Sequence, residues 1–392
     1  MTKTSLRFAT VLALAAIPLV GCGGTKHQDL GVDQGGPGAD QAIADDLSST
    51  HDGSLDVPDL SPMGDAAAAP IVAADGTWKW VEVDGAVCND GTPTGIGVNP
   101  GTSKDKILFY FEQGGACGDY GTCFQLKTAA VGPFGSAEFT ARQAQLVGSE
   151  LDRTVAGNPF ATWTHVYIPY CTGDLHGGIN TSTYTSGTMS QEFHHNGHIN
   201  ALRDLDRVAA TWPTATQVVV SGASAGGYGA LINFADARNH WPSAKAYLVD
   251  DSGPPLEETS SSALLSKWIT SWHLINWFQV GCPECVNDFS FVLPNVSKRF
   301  PNDRLSLLSS LQDQTIRGFY LLDPTDFQAS LLKLEADRLD GLTNFKYFFI
   351  SGETHTMLGD YKNATYTSNA TTLATFLEQQ VTDSADWFST KP

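Results

Sequence analysis

Seven short apolar runs recur along the chain: TWKWVEV (77–83), KILFYFEQ (106–113), THVYIPY (164–170), QVVVSGA (217–223), KAYLVDDS (245–252), IRGFYLL (316–322) and FKYFFIS (345–351). Continuous apolar runs of this length suit strands covered on both faces rather than half-exposed ones, which would alternate apolar with polar. Helical patterns lie between several of them, notably over 190–211 and 226–238. Strands alternating with helices predict an α/β domain with a mostly parallel central sheet and helices on both faces. The stretch 255–315 is rich in Ser, Leu and Trp and reads as a helical insertion or lid. There Trp268, Trp272 and Trp277 form a stripe that either walls a pocket or packs into the core. No internal repeat marks a second folded domain, so the domain is expected over 71–392.

The first seventy residues follow a different pattern. Lys3 and Arg7 precede an apolar run from Phe8 to Val20, too short for a spanning helix and suited to an export signal over 1–21. Leu19-Val20-Gly21-Cys22 has the form of a lipobox, in which Cys22 carries the acyl chains that tether the mature chain to a membrane. Gly23 in place of an acidic residue points to the bacterial outer membrane or cell surface. Residues 22–70 are Gly, Pro, Ala, Ser and Asp with almost no aromatic or β-branched residues, a composition that cannot bury enough surface to fold. Nine Asp against Lys26 give this linker a charge of −8 and favour an extended spacer. Their spacing matches no EF-hand loop.

The formal net charge of the whole chain is −19. With no basic patch to displace counterions from phosphates, a nucleic-acid partner is not expected, and the same charge argues against direct binding of highly charged polyuronate chains, which would need a local basic groove that the sequence does not locate. Nothing indicates a stable oligomer, so a monomer is expected. With Cys22 assigned to lipid, six cysteines remain: Cys88, Cys117, Cys123, Cys171, Cys282 and Cys285. An even number in an exported chain reads as disulfides. Of the fifteen possible pairings, the short spacings suit Cys117–Cys123 and Cys282–Cys285, leaving Cys88–Cys171. Cys282-Pro-Glu-Cys285 also has the form of a redox motif or half a zinc site, but there is no second CxxC, and a small structural loop is expected.

The candidate chemistry lies at Gly222-Ala223-Ser224-Ala225-Gly226. This G-x-S-x-G follows Val218-Val219-Val220 and precedes a helical pattern, the context of a nucleophile elbow in which small neighbours permit a strained strand-to-helix turn. Such a turn aims the backbone N–H of Ala225 at a developing oxyanion. In this architecture the acid and then the histidine follow the serine along the chain. Only His240, His273 and His355 do so, and His355, in the loop after the last expected strand, is the best placed. For the acid, Asp323 ends the run 316–322 at the same sheet edge; Asp326 and the pair Asp250 and Asp251 compete with it. Gly114-Gly115-Ala116-Cys117 after the second run offers further backbone donors, with a disulfide to stiffen them.

FEQGGAC (111–117), PYCTGDLHGG (169–178), the MSQEFHHNGHINALRDL segment, GASAGG, LLDPTDFQ and GETHT together resemble the pectin acetylesterase and Notum family of carboxylesterases, over about residues 77–358. The resemblance implies an α/β-hydrolase fold. It also implies Ser224 as nucleophile, Asp323 as acid, His355 as base, and Gly115, Ala116 and Ala225 as oxyanion donors. The chain departs from the family in having Ala116 where a tryptophan usually follows the glycines, so the acyl preference does not transfer. The expected activity is hydrolysis of acetyl esters on a polysaccharide such as pectin, with no metal or organic cofactor. The alternatives are a longer-chain lipid or protein deacylase of the Notum type, and a non-catalytic glycan-binding surface lipoprotein.

Overall fold

The computed structural model describes residues 69–257, 268–274 and 281–392. The export signal, Cys22, nearly all of the linker and Trp277 lie outside them. An eight-stranded sheet is built from β1 (Lys79–Val87), β2 (Pro93–Asn99), β3 (Lys106–Phe111), β4 (Thr164–Ile168), β7 (Gln217–Ala223), β8 (Lys245–Asp251), β9 (Arg304–Ser310) and β10 (Phe345–Ile350). A separate hairpin pairs β5 (Asn180–Ser186) with β6 (Met189–His195). The strand order is β1-β2-β4-β3-β7-β8-β9-β10; β2 runs antiparallel to both β1 and β4, and the pairs from β4–β3 through β9–β10 are parallel.

The two-sided burial expected from the apolar runs is visible residue by residue. Val218 and Val220 join one core and Val219 the other; Ala246 and Leu248 face the first, Tyr247 and Val249 the second. This is the period-two alternation of a strand with protein on both faces. Helices α2 (Gly197–Ala209), α3 (Ala225–His240), α4 (Val292–Arg299) and α6 (Pro324–Leu334) contribute to the first core. Helices α1 (Ser136–Gln143) and α7 (Leu373–Val381) contribute to the second.

The structure departs from the sequence reading in four places, the first within 190–211, where Met189–His195 is strand β6 and the helix begins only at Gly197. The run 316–322 is not a strand. It falls largely in α5 (Gln314–Tyr320), which starts where the Asp313 carboxylate accepts from the N–H groups of Thr315 and Ile316. The strand is instead RLSLLSS, β9, inside the stretch expected to be a helical insertion. Its serines are buried: Ser306 Oγ lies 3.1 Å from the Leu248 carbonyl and 2.9 Å from Gln380 Oε1, Ser309 Oγ–H donates to the Ser310 carbonyl at 3.1 Å, and the Ser310 hydroxyl has no partner among the described residues. Strand β2, with its two glycines, also escaped the pattern. Those glycines are close-approach sites, since a Cβ on Gly95 would meet the Val81 carbonyl oxygen at 2.1 Å and one on Gly97 the Phe139 ring at 2.1 Å.

The cysteines pair as the spacings suggested: Cys88–Cys171, Cys117–Cys123 and Cys282–Cys285 are disulfides. The CPEC cysteines are therefore bonded to each other. Among the described residues, no group of His, Cys, Asp and Glu is arranged to hold a metal, and no helix is long and apolar enough to cross a membrane.

Candidate active site

Strand β7 ends at Ala223 and α3 begins at Ala225, leaving Ser224 at the corner with φ 57° and ψ −120°. A positive φ on a residue with a Cβ is strained and persists only where the surroundings enforce it. Here the Ser224 N–H donates to the Asp251 carbonyl at 2.7 Å, and the N–H of Gly227 returns to the Ser224 carbonyl at 2.9 Å. The small neighbours are required by contact: a Cβ on Gly222 would lie 2.1 Å from the Gly226 carbonyl oxygen, and one on Gly226 would lie 1.9 Å from that of Phe111. The N–H of Ala225, in the first turn of α3, has no acceptor within the helix.

His355 lies in the loop after β10, as expected. Its Nδ1–H donates to Oδ2 of Asp313 at 2.8 Å. Asp313 is fully buried, and its other oxygen, Oδ1, accepts from the N–H groups of Thr315 and Ile316, both at 2.9 Å. Asp323, the acid expected from sequence, is exposed and caps α6, accepting from the N–H groups of Thr325 and Asp326. Asp326 is exposed within the same first turn. The displacement follows from the misread strand: with β9 at 304–310 rather than 316–322, the acidic position after the strand moves back to Asp313. The available signal was an aspartate three residues ahead of Ile316, the pattern of a helix N-cap.

Asp251 ties the elbow to the histidine loop. Its backbone carbonyl holds Ser224, while its carboxylate Oδ2 accepts from the N–H groups of Met357 at 2.6 Å and Leu358 at 2.8 Å, two and three residues beyond His355. Ser252 Oγ–H donates to Oδ1 at 3.0 Å. Burial raises the Asp251 carboxyl to about 6 against these hydrogen bonds and the nearby His355. Asp250 is also buried; burial, reinforced by Asp251, pushes its carboxyl well above the ordinary range, and neither of its oxygens has a hydrogen-bond partner among the described residues. Neither residue of the pair is bonded to His355, so both leave the acid's place to Asp313.

On the other side of the elbow, the loop after β3 carries Gly114, Gly115 and Ala116. Gly115 has φ 74°, and a Cβ there would meet the Thr128 carbonyl oxygen at 2.2 Å. The loop is fastened along its length: the Gly115 carbonyl accepts from the Tyr170 hydroxyl at 2.8 Å, the Ala116 carbonyl from Thr128 Oγ1 at 2.6 Å, and the Cys117 carbonyl from Trp272 Nε1 at 2.9 Å. The Cys117–Cys123 bridge closes it. Glu112, at its base, is paired with Arg142 at 2.7 Å and accepts from the Tyr170 N–H.

Gly115, Ala116, Ser224 and Ala225 open onto a cleft of about 400 Å³ whose remaining walls include Leu175, Tyr228, Trp268, Ile316 and Phe319. Trp268 therefore stands beside Ala116, the position where an aromatic was absent from the oxyanion loop. Its ring packs so closely on Gly118 that a Cβ there would lie 2.0 Å from it. Of the stripe, Trp268 walls the cleft and Trp272 is core. The other two candidate histidines stand elsewhere. His240 bridges the Asp236 carbonyl and the Asp206 carboxylate, and His273 is exposed in the segment 268–274. His176 donates from Nε2 to the Glu112 carbonyl at 2.9 Å and lies under Gly229, held neutral by burial with its pKa lowered to about 4.

Residues 77–269 match the pectinacetylesterase family. Over this stretch the chain is similar to the pectin acetylesterase and Notum family. It is 32% identical over 149 residues to the palmitoleoyl-protein carboxylesterase Notum of Schmidtea mediterranea, and 28% identical over 174 residues to pectin acetylesterase 5 of Arabidopsis thaliana. These stretches cover 37% and 43% of this chain but only 27% and 39% of the two relatives. Two crystal forms of the Wnt deacylase Notum from Drosophila share the fold, an α/β-hydrolase arrangement, with TM-scores of 0.54 and 0.58 at 18% and 17% identity. They span 80% of this chain and 96% and 95% of theirs. The family match includes Ser224 and the Gly115–Ala116 loop; Asp313 and His355 lie beyond its end.

Proposed function

We propose that this protein is a serine carboxylester hydrolase that removes acetyl groups from a polysaccharide such as pectin. Ser224 is the nucleophile, His355 the base, Asp313 the acid, and the backbone N–H groups of Gly115, Ala116 and Ala225 the oxyanion donors. The observation that carries this reading is the hydrogen bond between buried Asp313 and half-buried His355, on a loop that Asp251 joins to the Ser224 elbow. His355 takes the Ser224 hydroxyl proton as Oγ attacks the ester carbonyl carbon, and the backbone donors hold the oxyanion. Collapse breaks the bond to the alcohol oxygen, which leaves with that proton. A water activated by His355 then attacks the acyl-enzyme, releasing the acid and restoring Ser224.

Asp313 replaces Asp323 in this scheme because it is the carboxylate that orients His355 and favours the tautomer with a free Nε2. The export and lipid anchoring of the chain through Cys22 remain part of the proposal on the strength of the sequence pattern. The apolar walls of Leu175, Trp268, Ile316 and Phe319 favour a second reading, hydrolysis of longer acyl chains. Acetate release from acetylated polysaccharides, run beside nitrophenyl esters of increasing chain length, separates the two. Fastest turnover of the acetyl ester supports the first reading, and a maximum at eight carbons or more supports the second. Folded Ser224→Ala that retained turnover would overturn both.

A further inference from the structure

The end of the sheet opposite Ser224 carries a second depression of different character. Three neighbouring parallel strands begin there with cations: Lys245 is the first residue of β8, Arg304 the first of β9, and Lys346 the second of β10. They line a cleft of about 870 Å³ together with Asn302, Thr343, Ser384 and Trp387; Asn344 also borders it, with its amide bonded to Ser297 and the Phe300 carbonyl. The nearby carboxylates do not cancel this charge. Asp303 is committed to Arg238 at 2.8 Å and to the Ala246 N–H, and Asp383 alone serves both Lys245 at 3.4 Å and Arg304 at 3.3 Å. Lys346 makes no ion pair among the described residues, its ammonium reaching only the Leu342 carbonyl at 3.4 Å. A local excess of positive charge thus sits on a chain whose net charge is −19.

The rim supplies the other half of the recognition chemistry. Phe388 is 65% exposed at the edge of the cleft, and Trp387 holds the Arg304 guanidinium 5.1 Å from its ring centre. Amide and hydroxyl side chains, an open aromatic surface and two or three cations together fit a ligand rich in hydroxyls, with apolar sugar faces and carboxylates spaced along it. A single small anion would leave most of the volume and the aromatic rim unused. Nucleic acid would meet only three cations, with the acidic remainder of the surface repelling its backbone.

We propose that this cleft is a binding site for an acidic polysaccharide, a run of uronate residues, separate from the ester-cleaving site. The seven residues of β8 set the two sites about 20 Å apart, within the span of a few sugar units. Binding here is independent of ester hydrolysis; only its use, in holding a partly acetylated acidic polymer while its esters are cleaved, rests on the proposed activity. The acidic surface would otherwise keep such a polymer away.

The test titrates unesterified hexagalacturonate into the full chain carrying Ser224→Ala, by calorimetry, with hexagalactose as the neutral control. The expected result is salt-sensitive binding of the acidic hexamer alone, weakened at least tenfold by Lys346→Glu and several-fold by Phe388→Ala. Lys346→Gln is a second variant should Lys346→Glu melt early. In the otherwise native chain, both Lys346 variants are expected to keep nitrophenyl acetate turnover. Absence of hexamer binding, binding indifferent to both Lys346 substitutions, or equal displacement by inorganic phosphate would each overturn the site. Loss of nitrophenyl acetate turnover in both Lys346 variants would overturn the separateness of the two sites, whereas a native chain inactive on that ester would overturn the esterase reading and leave hexamer binding to decide this site.

Discussion

Asp313 and Asp323 stand ten residues apart in the same local pose. Each precedes a helix, and each uses one carboxylate oxygen to accept from the N–H groups two and three residues ahead. The difference lies in what covers them. Asp313 follows β9 into the sheet edge, is fully buried, and turns its second oxygen to His355; Asp323 follows a left-handed Leu321 out to solvent and only caps α6. A capping motif is thus a local event that the chain repeats freely. The catalytic assignment depends on which cap the tertiary fold buries against a histidine.

The sharpest way to break this contrast is to exchange each carboxylate for an amide. Asp313→Asn, which presents an N–H₂ to His355 Nδ1 or loses the cap, is expected to lower kcat for nitrophenyl acetate by about three to four orders of magnitude. Asp323→Asn should stay within about twofold of the native chain, as cap-retaining surface changes do. Comparable losses in both variants would return the acid to open choice.

Asp251→Asn sharpens the comparison from behind. It keeps the backbone bond to Ser224 but weakens acceptance from Met357 and Leu358, so the His355 loop loses its anchor. A fall of about ten- to a hundredfold in kcat, with KM nearly unchanged, is the outcome for a positioning residue, because misplacement of a reacting group is felt in the chemical step. A change in KM alone would show that Asp251 does something else.

Burial also separates carboxylates by pH. Glu150, fully buried with Ser221 Oγ donating to it at 2.5 Å, has its pKa raised by burial to about 8. The folded chain therefore holds a proton that the unfolded chain releases above its ordinary value near 4.5. Across that window stability falls as pH rises, by up to about 1.4 kcal/mol per pH unit for this one group. Thermal melts should show Glu150→Gln gaining on the native chain between pH 6 and 8, and parallel curves would refute the assignment. The smallest effect is Asp323→Ala, which removes an exposed helix cap and should cost about 1 kcal/mol in denaturant unfolding without touching turnover.

The elbow was legible in the sequence because its constraints are local. Gly222 and Gly226 are demanded by contacts within a few residues and with the adjacent strand, and small residues around a serine announce that demand. His355 was legible from chain order. The acid was not, because RLSLLSS gains its strand character only from neighbours: Leu305 and Leu307 pack in one core, Leu308 in the other, and Ser306 finds partners on β8 and α7. IRGFYLL is as apolar as a buried strand, yet it forms a helix whose Ile316 and Phe319 turn toward the cleft. Asp251 illustrates a further limit, since it had been weighed as an acid while its carboxylate organises a loop more than a hundred residues away. The amino-end cleft was equally hidden, because its cations are spread from Lys245 to Lys346 and meet only when β8, β9 and β10 align.

The bridge between Cys117 and Cys123 has a meaning beyond stiffness. It closes the ring that begins directly after Gly115 and Ala116, so the proposed oxyanion donors are anchored in part by a covalent bond that the reducing interior of a cell does not sustain. With these thiols reduced, the loop would be held only by the bonds from Tyr170, Thr128 and Trp272 to its carbonyls. The proposed anion site is thus expected to be at its most settled only after the thiols are oxidised, which would make the bridge a form of quarantine for the proposed hydrolase.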